Sequence, residues 1–259
     1  GGAFLGLALL VKPVTLPVLL LLLLRREWRV LTGAGSVVAV GYLAATALIG
    51  PDRLIAYVTY ALPTVTRLYQ ASAWNASLWA LGWRLFDGTG SPAQWTIVTE
   101  PVIRAPFLAP LAALALCLAG MVVPCLLVRG HSLDRAFGVM VSASVVTSPL
   151  AWDYYRVLVI LPAAQAIEWL VRNHLPPKET LVALWLGILL TPSAQHWGAL
   201  AIVLTGLPFS ARTIAAFPAV PGLLTFLPAI AVMAMGYFVA SLGRQDVRQP
   251  EAILMKKQY

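Results

Sequence analysis

The residues with the widest chemical reach stand together in Ser148-Pro-Leu-Ala-Trp-Asp-Tyr-Tyr-Arg156, a polar, proline-broken stretch between two hydrophobic runs. A carboxylate can take a proton from a hydroxyl nucleophile and a guanidinium can neutralise a phosphate. Asp153 and Arg156 are the candidates for those tasks, with the phenols of Tyr154 and Tyr155 between them. Polar, irregular backbone at membrane depth is tolerated only where it is buried in protein or lines a cavity. The plainer alternative is an Asp153/Arg156 ion pair at a membrane interface, beside an aromatic belt.

A second candidate is Lys12, near the middle of the first apolar run. A charge at that depth marks a functional site by default. Pro13 and Pro17 remove backbone donors and predict a broken helix there, whose second half presents its positive end to an anion such as a lipid phosphate. Snorkelling or a structural ion pair is the competing account. A third group interleaves Tyr57, Tyr60, Tyr69, Trp74, Trp79 and Trp83 with Arg53, Arg67 and Arg84, around Asn75-Ala-Ser-Leu78. Aromatics with arginines suit sugar stacking and phosphate contact, and suit equally well amphipathic helices lying at a membrane surface.

Other polar residues carry less. His196, between Gln195 and Trp197, reads as a satisfied core histidine, and Cys117 and Cys125 as small core or lipid-phase residues with no metal-ligand spacing. Glu168 and Arg172 fit a helix-surface pair. No metal site and no cofactor is expected. The absence of a G-x-x-x-x-G-K phosphate loop disfavours ATP hydrolysis.

The elements that must position these residues follow from composition. The chain is 60% hydrophobic and 11% charged, with a mean hydropathy of +0.83, whereas soluble domains carry about 25% charged residues. The net charge of +8 does not point to nucleic acid, because the basic residues sit in short clusters between apolar runs. Taking those clusters as cytoplasmic markers, spans are expected at about 1–24, 30–49, 105–128, 136–147, 157–171, 181–203 and 218–242. This gives an all-α, polytopic transmembrane helix bundle of about seven spans, a single membrane domain over 1–259. Residues 51–104 form an outer loop region with interfacial helices. The run from Ala136 meets Ser148-Pro149 after too few residues to cross a bilayer, so 148–156 is expected to be an irregular or re-entrant segment recessed on the outer side. The chain begins inside an apolar run with no initiating Met and no cleavable leader pattern, and is expected to be a fragment lacking N-terminal spans.

Three local patterns resemble the membrane glycosyltransferases of family 87: Leu9-Leu-Val-Lys-Pro13 with the leucine run and Arg25-Arg-Glu-Trp-Arg29; Trp74-Asn-Ala-Ser-Leu78; and Ser148-Pro-Leu-Ala-Trp-Asp-Tyr-Tyr155. The resemblance covers about residues 1–171. It implies a GT-C architecture in the plasma membrane of a bacterium, with an outward cavity where a polyprenyl-phosphate sugar meets a glycolipid or glycan acceptor. It also implies that Lys12, Asn75, Ser77, Ser148, Pro149 and Trp152 line or shape that cavity. Tyr154 and Tyr155 stand where many relatives carry histidine. The acidic residue that such enzymes place in the first outer loop would lie upstream. The implied reaction is direct displacement at the anomeric carbon of mannose, with Lys12, Arg67 and Arg156 as the cations for the departing phosphate. The competing class is a transporter or flippase of lipid-linked or anionic substrates, which builds sites from broken helices too.

Overall fold

The computed structural model describes residues 1–70, 72, 75–88, 101–151, 153–191, 200 and 226–256, with Pro13, Asp153, Tyr154 and 243–256 described for the backbone alone. Those residues are mostly helical, with no strand among them. The helices are α1 (Gly2–Val11), α2 (Leu16–Leu24), α3 (Trp28–Ile49), α4 (Pro51–Ala56), α5 (Leu62–Tyr69), α6 (Leu78–Phe86), α7 (Ala109–Leu127), α8 (Leu133–Thr147), α9 (Ile160–Arg172), α10 (Pro177–Leu190) and α11 (Leu227–Lys256).

Among the described residues, two uninterrupted helical segments are long and apolar enough to cross a membrane, Trp28–Ile49 and Pro106–Leu127, of 22 residues each. They coincide with the expected spans at 30–49 and 105–128. The other expected spans are shorter or interrupted among the described residues. The first is not one crossing: α1 stops at Val11, Lys12 adopts an extended backbone (φ −160°, ψ 125°), and a 3-10 turn over Pro13–Thr15 leads into α2. Because α1 lies parallel to α3, with Gly2 against Val30 and Gly6 against Ala34, α2 returns toward the end from which α1 started. A proline at position 13 disfavours helical geometry at Lys12, which accounts for the break. The expected break at Pro192, with His196, lies outside the described residues.

The hub is α8, against which α2, α7, α9 and α11 pack. Ten of its fifteen residues are buried. Its hydroxyls avoid the cost of unsatisfied burial by donating back along the helix, Ser144 Oγ to the Met140 carbonyl and Thr147 Oγ1 to the Ala143 carbonyl, both at 2.8 Å. Fifteen residues span about 22 Å, short of the ~30 Å hydrocarbon core. Pro149 stops the helix by forcing Ser148 into an extended conformation (φ −62°, ψ 134°).

Close helix crossings rely on small residues, as they do where lipid supplies no hydrophobic drive between helices. A Cβ on Gly82 of α6 would lie 2.3 Å from the Ala113 backbone nitrogen of α7, and Ala109 and Ala113 are fully buried beneath it. Gly82→Ala is therefore expected to force α6 off α7 and to destabilise the protein by about 1–3 kcal/mol, read as a lowered melting temperature in detergent. Gly2 and Gly6 make the equivalent approach of α1 to the Val30 and Ala34 carbonyls of α3.

The basic loops are tied together. Arg25 donates to the carbonyls of Val128 (2.8 Å) and His131 (2.7 Å), capping the end of α7, while His131 Nε2 meets the Ala240 carbonyl at 2.8 Å. The expected surface pair forms between Arg172 Nη2 and Glu168 Oε1 at 2.5 Å, and both cysteines are buried free thiols.

Candidate functional site

The break at Lys12, the loop before α6 and the turn after α8 come from three distant stretches of chain, and they converge. The Pro149–Ala151 turn is held by Asn75, whose side chain uses both ends: Nδ2 donates to the Pro149 carbonyl (2.8 Å) and to the Tyr69 carbonyl (3.3 Å), and Oδ1 accepts from the Ala151 backbone N–H (2.9 Å). The backbone adds a parallel tie, Ala76 N–H to the Ala151 carbonyl at 2.8 Å. Ser77 serves two ends as well. Its Oγ accepts from the Ala80 N–H (3.0 Å), capping α6, and donates to the Pro149 carbonyl (3.4 Å). Ser148 is buried and closes the turn from inside, donating to the Leu150 carbonyl at 2.9 Å.

Lys12 meets this turn from the other side. Its Nζ lies 3.5 Å from the Leu150 carbonyl oxygen and 3.5 Å from the centroid of the Tyr155 ring. Both are favourable partners for an ammonium, and neither carries a formal charge, so the positive charge is held in place without being neutralised by them. Tyr155 belongs to the 3-10 segment Asp153–Val159 that leads into α9. Asp153 and Tyr154 open that segment.

Two other expected site residues, Arg156 and Arg67, have settings of their own. Arg156 Nη1 donates to the Leu190 carbonyl at 2.8 Å, at the end of α10 where the helix dipole favours a cation. Its tie to α10 gives it a capping role alongside any contact with phosphate. Arg67 is exposed on α5 and does not join the cluster. Trp152 and Trp74 lie outside the described residues.

One residue of the site was not singled out by its sequence context. Arg84, expected merely as one of several arginines among aromatics, is 2% exposed and donates through Nη2 to the carbonyls of Ser72 and of Asn75, the latter at 3.1 Å. Its guanidinium carbon lies 4.2 Å from the centroid of the Phe226 ring. Burial pulls its pKa below the ordinary arginine value to about 9, and the carbonyls it meets favour the cation. The Asn75-Ala-Ser77 sequon is equally committed: Asn75 is 1% exposed and Ser77 fully buried, so a glycan on Nδ2 would displace the clasp.

An apolar cavity of about 540 Å³ begins beside the Lys12 break. Ala8, Val14, Val18, Phe137 and Leu158 contribute to walls drawn from α1, the 3-10 turn after Lys12, α2, α8 and the segment before α9. Among the described residues, no group of His, Cys, Asp or Glu is placed to hold a metal ion.

Apolar helices with a polar, cation-bearing knot at a broken helix define a membrane protein with a buried polar site. Residues 1–152 match glycosyltransferase family 87, more than half of the 259-residue chain. The chain belongs to that family and is a membrane glycosyltransferase. No curated protein and no solved structure matches it.

Proposed function

We propose that the protein transfers a hexose, mannose in our reading, from a polyprenyl-phosphate sugar to an envelope glycolipid or polysaccharide on the outer face of a bacterial plasma membrane. The observation that carries this is the convergence of Lys12 with the Asn75-clasped turn beside a large apolar cavity. An anionic head with a long hydrocarbon tail needs that pairing of a fixed cation with a lipid-compatible channel. A soluble nucleotide sugar needs no such channel.

In the reaction, an acceptor hydroxyl oxygen attacks the anomeric carbon as the bond from that carbon to the phosphate oxygen breaks. The hydroxyl proton passes to a base, and polyprenyl phosphate departs carrying the added negative charge. Lys12 is assigned to that phosphate, since a preorganised cation is worth most where charge develops away from water. Asp153, two residues before Tyr155, is the proposed base, with Tyr154 beside it as a proton donor or acceptor. Asn75, Ser77 and Ser148 shape the turn, while Trp152, Tyr155, Arg67 and Arg156 remain assigned to the donor and acceptor surfaces. A bundle of about seven spans, with its basic loops inside the cell, is the arrangement that fits this chemistry.

Membranes expressing the protein, supplied with radiolabelled polyprenyl-phosphate mannose, should form a labelled lipid or polysaccharide that control membranes do not. They should not form it from a nucleotide sugar once synthesis of the polyprenyl donor is blocked. Labelling that bypasses the polyprenyl donor would refute the donor assignment.

A further inference from the structure

We propose that Arg84 is a positioning residue of the transfer site: it fixes the Asn75 backbone, and through the Asn75 side chain it sets the turn that Lys12 faces. The inference rests on the proposed transfer function for its kinetic consequence, and on geometry alone for its structural one.

A buried guanidinium is costly unless its donors are met. Those of Arg84 go to the Ser72 and Asn75 carbonyls, on either side of one short loop. The Ser72 carbonyl also accepts the Asn75 backbone N–H at 3.0 Å, so Ser72 and Asn75 are tied to each other and Arg84 meets the carbonyls of both. From that pinned backbone the Asn75 side chain reaches the Pro149 carbonyl and the Ala151 N–H. The intervening carbonyl, that of Leu150, is the one that faces Lys12 Nζ. The chain of contacts therefore runs from α6 to the cation in four links, each a hydrogen bond to backbone or a single peptide step.

A further feature fits positioning better than simple filling. Phe226, itself buried at the start of α11, covers the guanidinium face, so α11 holds the fork in its plane. An aliphatic side chain could occupy the same space and meet none of the carbonyls. Lysine could meet one of them as a point charge but lacks the planar fork that reaches two.

The test compares wild type, Arg84→Met and Arg84→Lys in lipid nanodiscs, by amide hydrogen exchange and by steady-state sugar transfer. In Arg84→Met the amides of Ala76 and Ala151 should exchange at least roughly tenfold faster, while those in the middle of α7 and α8 keep the wild-type rate. Its kcat should fall by ~10–100-fold, the scale of a reacting group displaced by about 1 Å, with the donor KM changed less than about twofold. Arg84→Lys should recover part of both. Unchanged exchange at Ala76 and Ala151 would overturn the proposal, as would acceleration spread evenly over α6, α7 and α8, which is loss of packing and not of position. If wild type transfers no sugar, the transfer function fails while the exchange result still decides whether Arg84 holds the turn.

Discussion

Asn75→Asp is expected to abolish sugar transfer at neutral pH, although the two side chains have nearly the same shape. The amide donates to the Pro149 and Tyr69 carbonyls and accepts from the Ala151 N–H. A carboxylate keeps the acceptor and turns its other oxygen on two carbonyl oxygens, in a position only 1% exposed. Loss of two bonds from buried carbonyls, together with burial of a charge, should cost about 2–4 kcal/mol. The sign of the pH dependence follows. Burial and two facing carbonyls raise the folded-state pKa of the new carboxyl above its unfolded value, against the opposing pull of the Arg84 and Lys12 cations, whose own partners are the Ser72, Asn75 and Leu150 carbonyls, so the neutral, donating form is favoured. Activity and stability of Asn75→Asp should thus recover partly as the pH falls through that raised pKa, and disappear as it rises again. Asn75→Ala has no proton to gain and should show no such recovery. Transfer rates and melting temperatures of the two variants between about pH 5 and pH 8 check this against the wild type's own pH profile.

Lys12→Met should lower kcat/KM for the lipid-linked donor by roughly 10²–10³-fold, the range found when one preorganised electrostatic partner of a transition state is removed. Methionine retains the length and apolar stem, so α1 and α2 should keep their packing, and the melting temperature should change little. Lys12→Arg should retain part of the activity, because the charge survives while its fit over the Tyr155 ring and beneath the Leu150 carbonyl changes. A Lys12→Met protein that melts far below wild type would mean that the cation is structural.

Much of the architecture was legible in the sequence, for identifiable reasons. Apolar runs of about 20 residues mark α3 and α7, since length and hydropathy alone decide whether a helix can cross a bilayer. Pro13 marks the break at Lys12, and Ser148-Pro149 marks the end of α8, because proline restricts the residue before it whatever the tertiary context. The Lys12, Asn75 and Ser148 segments, which the fold brings together, could also be singled out through their resemblance to the family.

What stayed hidden depends on pairings between distant backbone groups. Nothing local shows that Asn75 mimics a strand partner for residues 149–151, some 76 positions away. Arg84 among Trp79 and Trp83 has the composition of an interfacial helix. Its burial is made tolerable by backbone carbonyls, which every residue carries and no pattern of side chains reveals. The tie of Arg156 to the last turn of α10 was hidden too, because the Leu190 carbonyl has no signature of its own. The amphipathic character of α6 was visible, but the tight approach of Gly82 to Ala113, which decides that its small face meets α7, was not.

If the Lys12 break and the Asn75-clasped turn form one site for the phosphate of a lipid-linked sugar, the purified protein in nanodiscs should bind a polyprenyl phosphate saturably. At equal amounts of folded protein, that affinity should be weakened at least tenfold in Lys12→Met, and the binding should be competed by polyprenyl-phosphate mannose but not by a nucleotide sugar. Equal affinity of wild type and Lys12→Met for polyprenyl phosphate would rule such a site out.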